Sequence, residues 1–345
     1  MREIVLGNTG IKVKQNGFGA LPIQRANKEI AKKILRKAYD GGIKFFDTAR
    51  AYSDSEEKLG LSLADVRKNI YIATKTLAKT PEDFWEHLNK SLELLKTDYI
   101  DIYQFHGANQ MFMPGDGTGM YECMLEAKEK GLIKHIGITT HKIQVAFDAV
   151  ESGLYETLQF PFSYLASETE IKLVKLCKEK NVGFIAMKGL AGGLINNSRA
   201  AMAYMTQYDN VLPIWGIQKE SELDEWLEFM DNTPIMDAEM IAYIAREQKE
   251  LSGEFCRGCG YCLPCPVGIK INQCARISLM IRRAPSAYWL SEEMQKEMSK
   301  IDDCINCRKC VSKCPYSLNT PDLLRKNLDD YRKVVSGEIS VAYTE

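Results

Sequence analysis

Four polar residues stand where an apolar run would hand the chain to a loop: Asp47 after Phe45-Phe46, Tyr52 shortly beyond it, Lys75 after Ile72-Ala-Thr, and His106 after Tyr103-Gln-Phe. Taken singly, each has an ordinary structural use. Asp47 can cap a loop, Tyr52 can pack its ring, Lys75 can lay its stem over apolar surface, and His106 can satisfy a backbone group. Together they compose the chemistry of a carbonyl being reduced. A phenol, with a pKa of about 10, is a poor acid at neutral pH unless a nearby cation stabilises its phenolate. Lys75 can supply that charge, and Asp47 can keep Lys75 protonated and oriented. His106 can donate to, or orient, the carbonyl oxygen while Tyr52 transfers the proton.

A second chemistry is written in the cysteines. Of eleven, Cys123 and Cys177 are isolated, and the other nine lie between Cys256 and Cys314. A long cysteine-poor body followed by a local cluster argues for metal or redox chemistry in a reducing compartment rather than a disulfide scaffold. The runs are Cys256-Arg-Gly-Cys259-Gly-Tyr-Cys262-Leu-Pro-Cys265-Pro266 and Cys304-Ile-Asn-Cys307-Arg-Lys-Cys310-Val-Ser-Lys-Cys314-Pro315. The second has the spacing of bacterial two-cluster ferredoxins, in which three thiolates hold one cubane and a fourth, beside proline, reaches the other. The first run is one residue shorter before its last cysteine. Either a tighter turn preserves the cross-ligation or Cys265 closes its own cluster. The preferred assignment puts Cys256, Cys259, Cys262 and Cys314 on one 4Fe-4S cluster and Cys304, Cys307, Cys310 and Cys265 on the other. Structural zinc, the competing reading, commonly takes two well-separated pairs. Cys274, Cys123 and Cys177 read as small buried hydrophobes.

Polar residues at strand ends need a fold that gathers those ends. Strand-like runs at 17–20, 44–47, 70–75, 100–106, 133–139, 157–160, 183–187 and 212–215 alternate with amphipathic stretches. The helical intervals are 28–40, 56–63, 84–95, 121–130, 142–151, 168–180, 199–205 and 221–230, punctuated by signals such as Thr80-Pro81 and Gly41-Gly42. This is the pattern of a (β/α)8 TIM barrel, whose chemistry sits at the carboxyl ends of the strands. A doubly wound open sheet is the alternative, but Gly17-Phe-Gly19-Ala-Leu-Pro22 lacks the GxGxxG spacing. Asn8-Thr9-Gly10 between residues 3–6 and 12–15 predicts an N-terminal β-hairpin. A connecting helix at 237–251 follows the break Asn232-Thr-Pro234, which places the barrel in residues 1–250 and a mostly helical ferredoxin-like domain in 251–345.

The run Phe45-Phe-Asp47-Thr-Ala-Arg-Ala-Tyr52-Ser-Asp-Ser55-Glu56-Glu-Lys-Leu-Gly60, with Lys75 and His106 downstream, resembles the aldo-keto reductase superfamily and its Asp, Tyr, Lys, His tetrad. The likeness runs from Leu6 to about residue 230. Residues 253–325 resemble the ferredoxin-like extension of the iron-sulfur subgroup, including the Cys-Pro-Val-Gly-Ile-Lys-Ile that follows the first cysteine run. The resemblance implies NADP(H) or NAD(H) bound extended across the barrel mouth. Thr139 and Thr140 sit where the family has Gly-x-Ser-Asn, and Gln159 matches the glutamine beside the nicotinamide carboxamide. Met187, Lys188, Leu190 and Gly193 belong to the matching phosphate-side loop, Met187 replacing the aromatic ring that many members stack on the nicotinamide; its thioether can still pack there. Trp215, Gly216, Gln218 and Lys219 fall in the adenosine-phosphate segment. Trp215 and Gln218 replace the more usual proline and serine or arginine, and Lys219 is the cation left for a 2′-phosphate, which favours NADPH.

The 345 residues carry 45 basic and 46 acidic side chains, a net charge of −1 that gives no reason to expect nucleic acid or a membrane surface as partner. No apolar run approaches the roughly 18 residues of a spanning helix, and the first residues lack a signal-peptide layout. The expectation is a soluble, cytoplasmic oxidoreductase acting on a small carbonyl or alcohol. Two alternatives stand beside it: a one-electron reductase driven by a ferredoxin-like partner with nicotinamide secondary, and a non-enzymatic redox-sensing barrel. Substrate choice would lie near Ile23 and Gln24 and in the loop 107–120, where Met111, Phe112, Met113 and Met120 suggest an adaptable apolar lid.

Overall fold

Apolar runs too short to stand alone must pair on both edges, and here they do so by closing on themselves. The computed structural model describes residues 1–251, 255–283 and 286–341. An antiparallel hairpin of β1 (Glu3–Val5) and β2 (Lys12–Lys14) comes first, in the register Ile4 to Val13. Eight strands follow: β3 (Gly17–Gly19), β4 (Phe45–Asp47), β5 (Tyr71–Thr76), β6 (Ile100–Phe105), β7 (Ile133–Thr139), β8 (Thr157–Pro161), β9 (Gly183–Met187) and β10 (Val211–Gly216). They close as β10-β3-β4-β5-β6-β7-β8-β9, every neighbour parallel, which excludes the open sheet. The strand ends agree with the apolar runs to within one residue. Helices α1 (Lys28–Asp40), α2 (Ser55–Leu63), α3 (Pro81–Leu95), α4 (Met120–Glu129), α5 (Ile143–Ser152), α6 (Glu168–Glu179), α7 (Ser198–Met205) and α8 (Glu220–Asp231) alternate with the strands, and α9 (Ala238–Glu250) follows. Their starts obey local capping: Asn27 and Thr80 accept hydrogen bonds from Ile30 N and Asp83 N, and Ser167 with Glu170 forms a capping box.

Side-chain alternation builds the barrel interior in layers. Ile4, Leu6, Ile11 and Val13 of the hairpin segment pack with Phe45, Ala73, Ile102, Ile185, Leu212 and Ile214 as one buried apolar cluster at the N-terminal end. Two residues further along, the same inward face becomes polar, with Asp47, Lys75 and Gln104. Register sets their neighbours: Asp47 lies beside Gly19 and Ala73, Lys75 beside Gln104, and Gln104 beside Gly137. The small residues leave room for the large polar ones. A methyl at Gly137 would sit 2.3 Å from Thr157 Oγ1 and 2.8 Å from Gln104 Cγ.

The chain divides into two compact units, Met1–Gly189 with Arg199–Ile244, and Leu190–Ser198 with Ala245–Glu345. The second holds short helices α10 (Ile271–Cys274), α11 (Ile277–Arg283), α12 (Ser286–Trp289), α13 (Glu292–Ser299) and α14 (Lys309–Ser312), then α15 (Thr320–Val335). Its core gathers Ile269, Ile271, Ile277, Ile281, Met294, Met298, Leu324, Leu328 and Tyr331. Arg276 and Arg283 hold carbonyls of the segment after β9, at Gly192 and Leu194. Among the described residues no helix is long and apolar enough to cross a membrane. Gly137→Ala should cost about 1–3 kcal/mol by overpacking the polar layer, read as a lower urea midpoint at unchanged m-value. An unmoved midpoint would show that the layer has space to spare.

Candidate active site and cysteine cavities

The polar layer is organised by one ion pair. Lys75, 1% exposed, donates from Nζ to Asp47 Oδ1 at 2.6 Å and to Thr48 O at 2.6 Å. Gln159 Nε2 also donates to Asp47 Oδ1, at 3.3 Å, and Gln104 Nε2 donates to Gln159 Oε1 at 3.2 Å. Burial pushes the Asp47 carboxyl above its ordinary value, and the Lys75 ammonium and the Gln159 amide oppose that rise. Tyr52, on the loop after β4, sets its ring edge-on to His106, with centroids 5.5 Å apart at 81°, and Lys75 Nζ lies 5.2 Å from the Tyr52 ring centroid. The four expected residues therefore converge.

Their electrostatics refine the expectation. Lys75 does pull the Tyr52 phenol down, but burial outweighs it and the net direction is up. The phenol is held as O–H, ready to donate. His106 follows β6, its backbone N donating to Thr76 O at 2.9 Å, and its ring is pushed down to about 3 by burial and by Lys75, so it is a neutral imidazole at pH 7. Asp47 Oδ2, Gln104 Oε1 and His106 Nδ1 are buried and have no partner among the described residues. Three such atoms at one strand-end layer suit a polar ligand.

What holds Tyr52 in place was not evident from the sequence. Glu56, 1% exposed, accepts from Thr74 Oγ1 at 2.7 Å and pairs with Arg50, so a buried carboxylate ties the Tyr52 loop to β5. Ser55 donates to Ala20 O at 2.9 Å and contacts Thr48 Oγ1 at 2.9 Å. Lys58 Nζ, 2% exposed, binds Ile23 O, Gln24 O and Asp54 Oδ1. The signal available was the run of polar residues after Tyr52, which reads as a solvated helix start.

The residues expected to hold nicotinamide are placed unevenly. Thr139 Oγ1 accepts from Gly107 N at 2.7 Å. Thr140 Oγ1 donates to Ala108 O at 2.8 Å and accepts from Lys142 N at 3.0 Å, so its single hydrogen is committed to the loop after β6. Gln159 lies in the tetrad layer, and Met187 is half-buried at the end of β9. Lys188 is in the left-handed region at φ 58°, and Leu190 O accepts from Gly193 N in the second unit. Gly216 ends β10. Gln218 N and Lys219 N donate to Glu222 Oε2 at 2.9 and 3.1 Å, so the two amides just before α8 are taken up by its own third residue, while the Lys219 side chain is exposed. The expected apolar lid is pinned: Phe112 packs 4.5 Å from Phe105 and exchanges hydrogen bonds with Tyr155, Met120 is fully buried at the start of α4, and only Met113 is exposed.

In the second unit the cysteines surround two cavities. One is lined by Cys256, Cys259, Cys262 and Cys314, the other by Cys265, Cys304, Cys307 and Cys310, with Cys262 also on its wall. Both runs turn alike. Gly258 and Asn306, just before the second cysteine of each, and Gly260 and Arg308, just after it, are all left-handed. Burial and neighbouring thiols push the Cys262 thiol up to about 12. Among the described residues no group of three or more His, Cys, Asp or Glu is close enough to hold a single ion, so the thiols stand around a volume rather than a point. That spacing fits a cubane. Cys123, Cys177 and Cys274 are buried and line neither cavity.

Residues 4–205 match the aldo/keto reductase family. The chain belongs to that family. Residues 255–319 match the 4Fe-4S dicluster domain. The L-galactose dehydrogenase of Arabidopsis thaliana is 30% identical over 209 residues, covering 55% of this chain and 66% of its own length. The uncharacterized oxidoreductase YqkF of Bacillus subtilis is 28% identical over 209 residues, covering 56% of this chain and 67% of its own. The chain thus spans about two thirds of these relatives. An aldo-keto reductase of Bacillus halodurans in its holo form superposes with a TM-score of 0.64 at 22% identity, covering 74% of this chain and 98% of that one. One from Klebsiella pneumoniae in complex with NADPH gives 0.60 at 19%, covering 71% and 95%. At these identities the superpositions establish the fold. Within this aldo/keto reductase, His106 should titrate below pH 5, followed by NMR of labelled histidine with His106→Gln for assignment. A midpoint near 6.5 would contradict the burial. Because the unfolded ring binds its proton near 6.5 and the folded ring only near 3, His106 withdraws stability as pH falls through that window. His106→Gln should therefore soften acid unfolding there.

Proposed function

We propose that this chain is an NAD(P)H-linked oxidoreductase that interconverts a small carbonyl compound and its alcohol at Tyr52, and that its C-terminal unit holds two 4Fe-4S clusters. The observation that carries the first half is the sealed Lys75–Asp47 pair at 2.6 Å beside the edge-to-face Tyr52 and His106. The Tyr52 hydroxyl gives its proton to the oxygen of the carbonyl as that oxygen gains charge, and the Lys75 ammonium stabilises the phenolate left behind. Asp47 keeps Lys75 charged and fixes its direction. His106, neutral, offers a ring N–H to the same oxygen and cannot compete as the acid. Reduced nicotinamide, when bound, supplies the hydride to the carbonyl carbon. Gln159, Met187, Lys188, Gly216 and Lys219 are the residues read as holding it. Thr139 and Thr140 act instead by fixing the loop that follows His106.

The dicluster match and the two four-cysteine cavities support the second half, with Cys256, Cys259, Cys262 and Cys314 on one cluster and Cys265, Cys304, Cys307 and Cys310 on the other. Such centres pass single electrons, so we assign them exchange with a separate one-electron carrier. Thiols that must stay reduced support a cytoplasmic location.

Tyr52→Phe should lower kcat by roughly 10²- to 10⁴-fold with NADPH affinity, read by fluorescence titration, unchanged. Near-normal turnover in a panel of aldehydes and ketones would remove Tyr52 as the acid. Anaerobic purification should return about eight iron and eight sulfide per chain. About four would reduce the reading to one cluster.

A further inference from the structure

Arg276, between α10 and α11, is a buried cation without an anion. It is 6% exposed, and among the described residues no carboxylate pairs with it. Its Nη2 donates to Gly192 O at 2.8 Å, to Ala191 O at 3.4 Å and to Met280 Sδ at 3.0 Å, while its Nε is buried without a partner. Arg283, on α11, meets the same problem conventionally, with Glu247 and Glu250 as partners. An uncompensated buried charge costs several kcal/mol, so an anion beside Arg276 would stabilise it.

The surroundings say where that charge belongs. Gly258 and Gly192 both turn at φ 66°, and a methyl on either would fall 2.5 or 2.8 Å from Arg276 Nη1. The guanidinium is therefore clasped between two glycine turns. One lies inside the first cysteine run, between Cys256 and Cys259; the other lies in the segment after β9. Burial lowers the Arg276 pKa, and the neighbouring Cys256 opposes that fall. Ala275, the preceding residue, lines the cavity of Cys256, Cys259, Cys262 and Cys314. The cations at the other cavity, Arg308 and Lys309, are exposed to solvent and correspondingly screened.

We infer that Arg276 is the counter-charge of the cluster held by Cys256, Cys259, Cys262 and Cys314, and that its hydrogen bonds to Ala191 and Gly192 make the segment 190–198 respond to that cluster's oxidation state. The inference rests on the two-cluster reading proposed above. Adding one electron to a thiolate-ligated cubane adds one negative charge, which a neighbouring guanidinium stabilises. The stronger pull then competes with the two neutral carbonyls for the same Nη2. Arg276 is a positioning residue in this scheme: it touches neither hydride nor substrate.

The test uses the full chain, purified anaerobically, with dithionite as electron donor and redox titration followed by electron paramagnetic resonance. In Arg276→Gln one of the two potentials should fall by at least 59 mV, a tenfold change in reduced fraction at fixed potential, while the other holds. Arg276→Lys, which keeps the charge and loses the fork, should return the potential towards wild type. Amide hydrogen exchange in 190–198 should rise on reduction of the wild type and be high in both oxidation states of Arg276→Gln. Unchanged potentials, or equal shifts of both, in fully loaded Arg276→Gln would overturn the inference. If that variant loses iron, Arg276→Lys decides: a potential that falls as one of two would overturn the charge argument. A wild-type iron content below about eight would instead count against the two-cluster reading itself.

Discussion

An ammonium and a carboxylate 2.6 Å apart, both sealed from solvent, govern the polar end of this barrel. Taking two ions out of water costs several kcal/mol each, and their attraction repays this only when every remaining hydrogen-bonding position is filled. The surrounding sequence meets part of that demand. Thr48 turns its carbonyl onto Lys75, Gln159 turns its amide onto Asp47, and Gln104 orients Gln159. Crowding by four long polar side chains in turn requires small neighbours in the same layer, and register supplies Gly19, Ala73 and Gly137. Asp47 Oδ2, Gln104 Oε1 and His106 Nδ1, which belong to this layer, are buried and have no partner among the described residues. Burial has a further effect on Tyr52. By raising the phenol it keeps the proton on oxygen, and the nearby Lys75 pulls in the opposite direction.

Most of this barrel was legible because its strands are buried on both faces and therefore read as unbroken apolar runs bounded by turn residues. A residue such as Lys75 at the end of such a run can only point inward or outward, and a companion Asp47 at the neighbouring strand end decides which. Legibility failed where a polar residue is buried by its partners rather than by its neighbours in sequence. Glu56 lies in the acidic start of α2, where a carboxylate is expected to face water and favour the helix N-terminus. Only the fold brings Thr74 and Arg50 to it and shuts it in. The hydroxyl of Thr140, whose motif position points to a ligand, also closes a loop, which its neighbours in sequence do not announce. Met120 was read with the loop before it, one residue short of the observed start of α4. In the second unit, helices of four to eight residues such as α10 to α14 complete too few turns to show a stripe, and of its helices the 16-residue α15 is long enough to carry one.

The two units solve the problem of a buried cation differently, and the difference bears on how each is held together. Lys75 finds its anion on the neighbouring strand. Among the described residues Arg276 meets only carbonyls and a sulfur, and in the neighbouring cavity burial pushes the Cys262 thiol up to about 12. On the two-cluster reading, cysteines that hold a cluster give up their protons and set a net negative charge beside the guanidinium. Helices as short as α10, α12 and α14 add little cohesion of their own. On the two-cluster reading, the order of this unit therefore comes from its apolar core and from what the eight cysteines hold, and its electrostatics balance only in the loaded state.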